Sequence, residues 1–147
     1  MQVGVRQTRQ VKGKATLLNA DVVAGTKFRD GIACSPWPIE LHSGEKPRVE
    51  WLLEDVYEIP FGCFVPESGE GLLTAGRCLS AEHEAVASAR VTAQCFGYGH
   101  AVGHAALIAA RANLDAPLLL RASVGEADAA LARAEAARDS LPSQLKA

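Results

Sequence analysis

The chain has no C-x-x-C pair: Cys34, Cys63, Cys78 and Cys95 are scattered along its 147 residues. That spacing gives no support to a zinc ribbon or a thioredoxin-type redox motif. Nothing marks the chain as secreted, so reduced and mostly buried thiols are expected rather than disulfides. It also lacks a basic excess, with 15 Lys and Arg against 17 Asp and Glu and a formal charge of −2. Its cations are spread rather than clustered, which argues against a nucleic-acid partner. No long apolar run is present. The most apolar stretch, Ala101 to Ala110, is interrupted by Gly103 and His104 and is too short to span a bilayer. The amino-terminal MQVGVRQTRQVKGK carries charge with no apolar run behind it, unlike a signal peptide. These absences leave a cytoplasmic globular protein, with no nucleic acid and no membrane among its partners, as the expectation.

What is present suits that class, since 48% of the residues are apolar and the length allows one small core. Val3 to Val11 alternates β-branched and polar residues and reads as a strand. Asn19 is placed to cap a short helix through Asp21 and Val23 that Gly25 ends. SPWPIELH (35–42) reads as extended, and HSGEKP (42–47) as a loop. Asp55 to Pro60 and Gly62 to Pro66 read as short extended segments, and Leu72 to Ala75 as a buried strand closed by a turn at Gly76. One long buried helix is expected from about Glu84 to Arg111. Asp115 to Pro117 breaks it, and a second helix follows from Ser123 to about Arg138, opened by a Ser123/Glu126 capping box. This divides the chain into a main unit over 1–112 and a helical extension over 113–147.

The informative region is Gly71 to Ala106, GLLTAGRCLSAEHEAVASARVTAQCFGYGHAVGHAA. A strand, a tight turn and then a helix opening put backbone amides and a positive dipole end at the mouth of a sheet, a good place for an anionic or electron-rich ligand edge. Ser88 could add a hydroxyl donor there and Arg90 a fixed charge. At about 100° per residue, Arg90, Gln94, Tyr98, His100, His104 and Arg111 share one arc of the helix, and the remaining circumference is apolar. Gly97, Gly99 and Gly103 stand mid-helix, where each costs about 1 kcal/mol against Ala. Either a backbone or ligand approaches closely there, or the helix packs tightly on a sheet.

The same region resembles the final flavin-contacting segment of FAD-dependent oxidoreductases of the glutathione-reductase-2 type. The residues that carry the likeness are Ala75, Gly76 and Arg77; His83, Glu84 and Ala85; Ser88, Arg90 and Val91; Cys95; and Gly99, Ala101 and Gly103. VRQTRQVKG, WPIELH and YEIPFGCFVP add to it, so that the likeness spans roughly residues 4 to 112. It implies an α/β fold, namely the carboxy-terminal portion of an FAD/NAD(P)-binding-type domain, with short strands completing a central sheet, one long buried helix and a carboxy-terminal helix. It also implies FAD as cofactor, with Ala75, Gly76 and Arg77 near the ribityl and phosphate region and Ser88, Arg90 and Val91 at the isoalloxazine ring. His83 would then move a proton while Arg90 orients a small-molecule substrate or steadies a flavin anion; a merely structural His83 stands beside that reading.

Two departures from the family pattern matter. Related flavoproteins often carry an acidic residue where Arg77 stands. No G-x-G-x-x-G occurs, so the amino-terminal Rossmann part that grips the pyrophosphate is expected to be absent. Met1 directly precedes a strand that in the family lies deep in the catalytic region. The expectation is therefore a flavin oxidoreductase part completed by a separate chain carrying the FAD-binding half. The alternative is a non-catalytic fragment or interaction module that does not bind FAD on its own.

Other chemistry is weaker. His100 and His104 have a spacing that can hold a metal, but no Glu lies between them and no third ligand is evident, so no metal site is expected. Cys78 and Cys95 offer no disulfide spacing. Ser88 and His83 lack a nucleophile elbow. His42 is a lesser proton-transfer candidate, and Arg6 and Arg9 either face the site or bridge carboxylates.

Overall fold

A computed structural model describes residues 7, 9–42, 46, 48–53 and 56–112. The expected strand over Val3 to Val11 falls mostly outside these residues. Its described part, Gln7 and Arg9 to Val11, forms no strand, although the Val11 amide donates to Cys78 O at 2.9 Å. Residues 43–45 and 47 of the expected loop, Asp55, Arg6, and the whole extension with its Ser123 helix also lie outside.

Helix α1 (Asn19–Ala24) forms where the sequence placed it, but Asn19 is its first residue rather than its cap. Leu18 is the extended residue before it. The Asp21 carboxylate accepts the Leu18 amide at 3.1 Å, and the Glu82 carboxylate accepts the Asn19 amide at 2.7 Å. Acidic side chains thus accept two amides at the start of α1 that have no acceptor within the helix. Gly25, at φ 66°, closes the helix in the left-handed conformation.

Four short strands follow: β1 (Gly31–Ser35), β2 (Ile39–Leu41), β3 (Arg48–Glu50) and β4 (Tyr57–Pro60). They pair antiparallel as two separate ribbons, β1 with β4 and β2 with β3. The architecture among the described residues is thus mixed helix with small antiparallel sheets. The extended reading of Gly62 to Pro66 fails, because Phe61–Phe64 form a 3₁₀ turn. All four of these residues are buried, Phe64 in the main core and Phe61 with Val65 in a second cluster. A two-faced strand would turn alternate residues away from one core; a tight turn of three residues need not. Leu72 to Ala75 is not a strand either. Leu72 is half exposed, and the segment is tied to the 3₁₀ turn by Thr74, whose amide donates to Phe64 O at 2.9 Å. The turn at Gly76 is present, at φ 90°.

The expected single helix is two. Helix α2 (His83–Ala89) ends at Arg90, and α3 (Thr92–Ala112) begins after Val91. Burial is also divided differently from the sequence reading. The short α2 is the buried one, from Ala85 through Ala89, whereas the long α3 buries only Tyr98 and Val102 among its residues up to Ala110. Phe96 is 75% exposed, and Leu107 and Ile108 are each over 40%. Tyr98 and Val102, one turn apart, form the stripe that meets the core, so a residue of the polar arc faces inward. Gly97, Gly99 and Gly103 have open space where a Cβ would stand, so no close approach by the described residues explains them. No described helix is long and apolar enough to cross a membrane.

Candidate functional site

The break between α2 and α3 creates the site. Because the Val91 carbonyl accepts the Cys95 amide at 3.1 Å, α3 starts with the amides of Thr92, Ala93 and Gln94 lacking acceptors within the helix. The positive end of a 21-residue helix therefore lies at the break. There a cavity of about 590 Å³ opens, walled by Trp37, Glu40 and His42 from around β2, by the Gly76–Arg77 turn, by Ala87 and Arg90 from α2, and by Val91, Thr92 and Cys95. The volume lies in the range of small-molecule and cofactor pockets.

Two guanidinium groups line this cavity. Arg90 is held from behind, its Nη2 donating to Glu40 O at 3.3 Å, and Arg77 sits on the exposed rim. The only carboxylate in the lining among the described residues, that of Glu40, stands 3.7 Å from His42 Nε2. Partial burial pushes the Cys95 thiol up, with Arg77 pulling against it and Cys78 adding to the rise. All four described cysteines are free, Cys63 buried and Cys34 exposed, so the expectation of buried thiols does not extend to Cys34.

The sequence-derived residues divide into three groups. Gly76, Arg77, Arg90 and Val91 come together around the cavity. Ala75 and Ser88 stand behind its wall. The Ala75 carbonyl accepts the Cys78 thiol at 3.4 Å. Ser88 is fully buried, donating to Trp37 O at 2.6 Å with its Oγ 2.7 Å from Tyr57 Oη. His83 lies elsewhere. It opens α2 on the exposed side, its carbonyl accepting Gln7 Nε2 at 2.7 Å, and seven residues of helical rise, about 10 Å, separate it from Arg90. Sequence reading gave no role to Trp37, Glu40 or Thr92. Trp37, a large aromatic between two prolines, was the available signal.

A second cavity of about 430 Å³ adjoins the first through Trp37 and Val91 and runs between β1 and α3. Gln94 and Tyr98 line it, and the Gln94 Oε1 and Tyr98 Oη atoms are buried without a hydrogen-bond partner among the described residues. Burial, with Tyr57 and Cys95 close by, raises the Tyr98 phenol.

A glycine turn, two arginines and the start of a long helix thus meet around one cavity. The family described as FAD dependent oxidoreductase matches residues 1–131, and the chain belongs to that family. FAD is the cofactor which that membership implies. Comparison with curated proteins returned no match, and comparison with solved structures returned none.

Proposed function

We propose that the cavity at the α2–α3 break receives the isoalloxazine end of FAD in an oxidoreductase of the glutathione-reductase-2 type. The observation that carries this is the convergence of Gly76 and Arg77 with Arg90 and Val91 at the first turn of α3. The residues fit the group: the pyrimidine edge of a flavin is electron-rich and becomes anionic on reduction, and α3 amides with Arg90 would stabilise charge there. Gly76 would allow the chain to pass beside the ribityl region, with Arg77 at the rim. Bound flavin supplies two-electron, hydride-accepting chemistry, and the protein orients and tunes it. Arg90 would fix a small-molecule substrate or the flavin edge. Ser88 and Ala75 would act from behind the wall, and His83 is left outside this site.

The reading includes a second body. The sequence contains no pyrophosphate fingerprint, and Phe96, Leu107 and Ile108 are exposed on α3. A segment carrying the dinucleotide-binding half would supply the first and cover the second.

Titration of the purified chain with riboflavin and FMN, followed by flavin fluorescence, tests the cradle without that half. The expected result is weak, saturable quenching that Arg90→Ala reduces by about tenfold or more, the range for losing a charged hydrogen bond. Chain purified alone should be colourless. Absence of quenching at millimolar flavin, or quenching unaffected by Arg90→Ala, would favour the non-catalytic module instead.

A further inference from the structure

His100 and His104 take no part in the cavity at the α2–α3 break, although His100 also borders the second cavity. They stand on the outer surface of α3, both exposed, with their Nε2 atoms 3.2 Å apart and their rings meeting edge to face at 4.5 Å between centroids. We propose that this pair is a two-point chelate for a late first-row divalent cation, a site that does not depend on the flavin reading. Two imidazole nitrogens each about 2.0–2.1 Å from one ion stand about 2.9 Å apart at a right-angle bite and about 3.4 Å apart at the tetrahedral angle. The observed separation, that of a hydrogen-bonded pair on adjacent helical turns, falls between these limits. No backbone movement is needed.

The surroundings favour an ion over a closed contact. Gly97 and Gly103, one turn from His100 on either side, leave open space where a Cβ would stand, which gives room for water ligands. In the metal-free pair one Nε2–H donates to the other Nε2. Chelation needs a lone pair from each, so both rings carry their proton on Nδ1 and the shared hydrogen relocates there through solvent with no net release. Among the described residues no third His, Cys, Asp or Glu joins the pair, so water or an exogenous ligand fills the remaining positions. An all-imidazole donor set selects copper, nickel or zinc over magnesium or calcium, with Cu²⁺ the tightest.

Ni²⁺ is the probe of choice because it discriminates against the thiols better than Zn²⁺ does. The full chain is titrated calorimetrically beside His100→Gln, His104→Gln and a variant combining His104→Ala with Ala105→His. That last variant keeps all four histidines but turns the second ring about 140° from the first. One Ni²⁺ per chain is expected, weakened about tenfold or more in all three variants, since each removes one of two linked contacts. In the unaltered chain, paramagnetic Ni²⁺ should broaden the ring signals of His100 and His104 before those of His42 and His83, a readout independent of how the variants fold. The proposal is overturned if no stoichiometric binding occurs, if the shifted pair binds equally well, or if His42 or His83 broadens first.

Discussion

The Tyr57 phenol lies 2.7 Å from Ser88 Oγ, with both residues fully buried, and Ser88 passes its own proton to Trp37 O at 2.6 Å. The direction follows: Tyr57 donates to Ser88, and Ser88 donates to the connector between β1 and β2. Ser35, opposite Tyr57 in the ribbon, holds the Trp37 amide at 3.4 Å and receives Gln94 Nε2 at 2.5 Å. Three hydroxyls thus hold Trp37, which walls both cavities, against α2 and α3.

Ser88→Ala removes a donor and an acceptor at once, leaving a buried carbonyl and a buried phenol unsatisfied. It should destabilise the fold by about 1–3 kcal/mol, and Tyr57→Phe by less, about 1 kcal/mol. Urea denaturation of the two variants beside the parent checks the order. Equal stabilities would show that the relay is not formed.

Glycine substitutions should divide by position. A Cβ on Gly62 would lie 2.8 Å from the Ala15 Cβ, so Gly62→Ala should destabilise by about 1–3 kcal/mol through overpacking. Gly99→Ala meets open space and should stabilise the isolated chain by about 0.5–1 kcal/mol through helix propensity. Thermal melts decide. Destabilisation by Gly99→Ala would show that something packs against α3 in solution.

Alkali should unfold the protein through its buried thiol. Burial raises Cys63 from 9.0 to about 12 and also raises Tyr57 from 10.0. A raised pKa on a group that is neutral when protonated contributes stability that is whole below the unfolded value. It is lost as pH climbs from about 9 toward 12. The melting temperature should fall across that interval, and Cys63→Ala should flatten the fall while lowering stability at neutral pH.

Thiol accessibility should follow the same burial. Cys34 should react rapidly with a thiol-specific chromogen, Cys78 and Cys95 more slowly, and Cys63 only on denaturation. Mass spectrometry of partly labelled protein gives the order.

Local signals in the sequence proved sound where they rested on backbone chemistry. Gly25 ends α1 and Gly76 makes its turn because a left-handed φ is a property of one residue. Gly76, Arg77, Arg90 and Val91, which line one cavity, were singled out by the Ala-Gly-Arg and Ser-x-Arg-Val pieces taken together, since each piece alone is weak. Burial was not legible. The apolar residues of α3 run nearly all round the helix, so periodicity did not show that Tyr98 rather than Phe96 would face the core. The division after Ala89 also has no breaker residue to announce it: Arg90 and Val91 are compatible with a helix, and tertiary packing overrides that propensity. Leu72 to Ala75 looked like a strand by composition, yet no neighbour among the described residues offers it a ladder, and β-propensity alone cannot supply one.

The two-residue elbow at Arg90 and Val91 separates two kinds of helix. α2 is embedded from Ala85 through Ala89, whereas α3 meets the core along one side, through Tyr98 and Val102 and, further on, Ala105 and Ala109 against Phe61 and Val65. Because the chain turns between them, Arg90, Val91 and Thr92, consecutive in sequence, wall one cavity together.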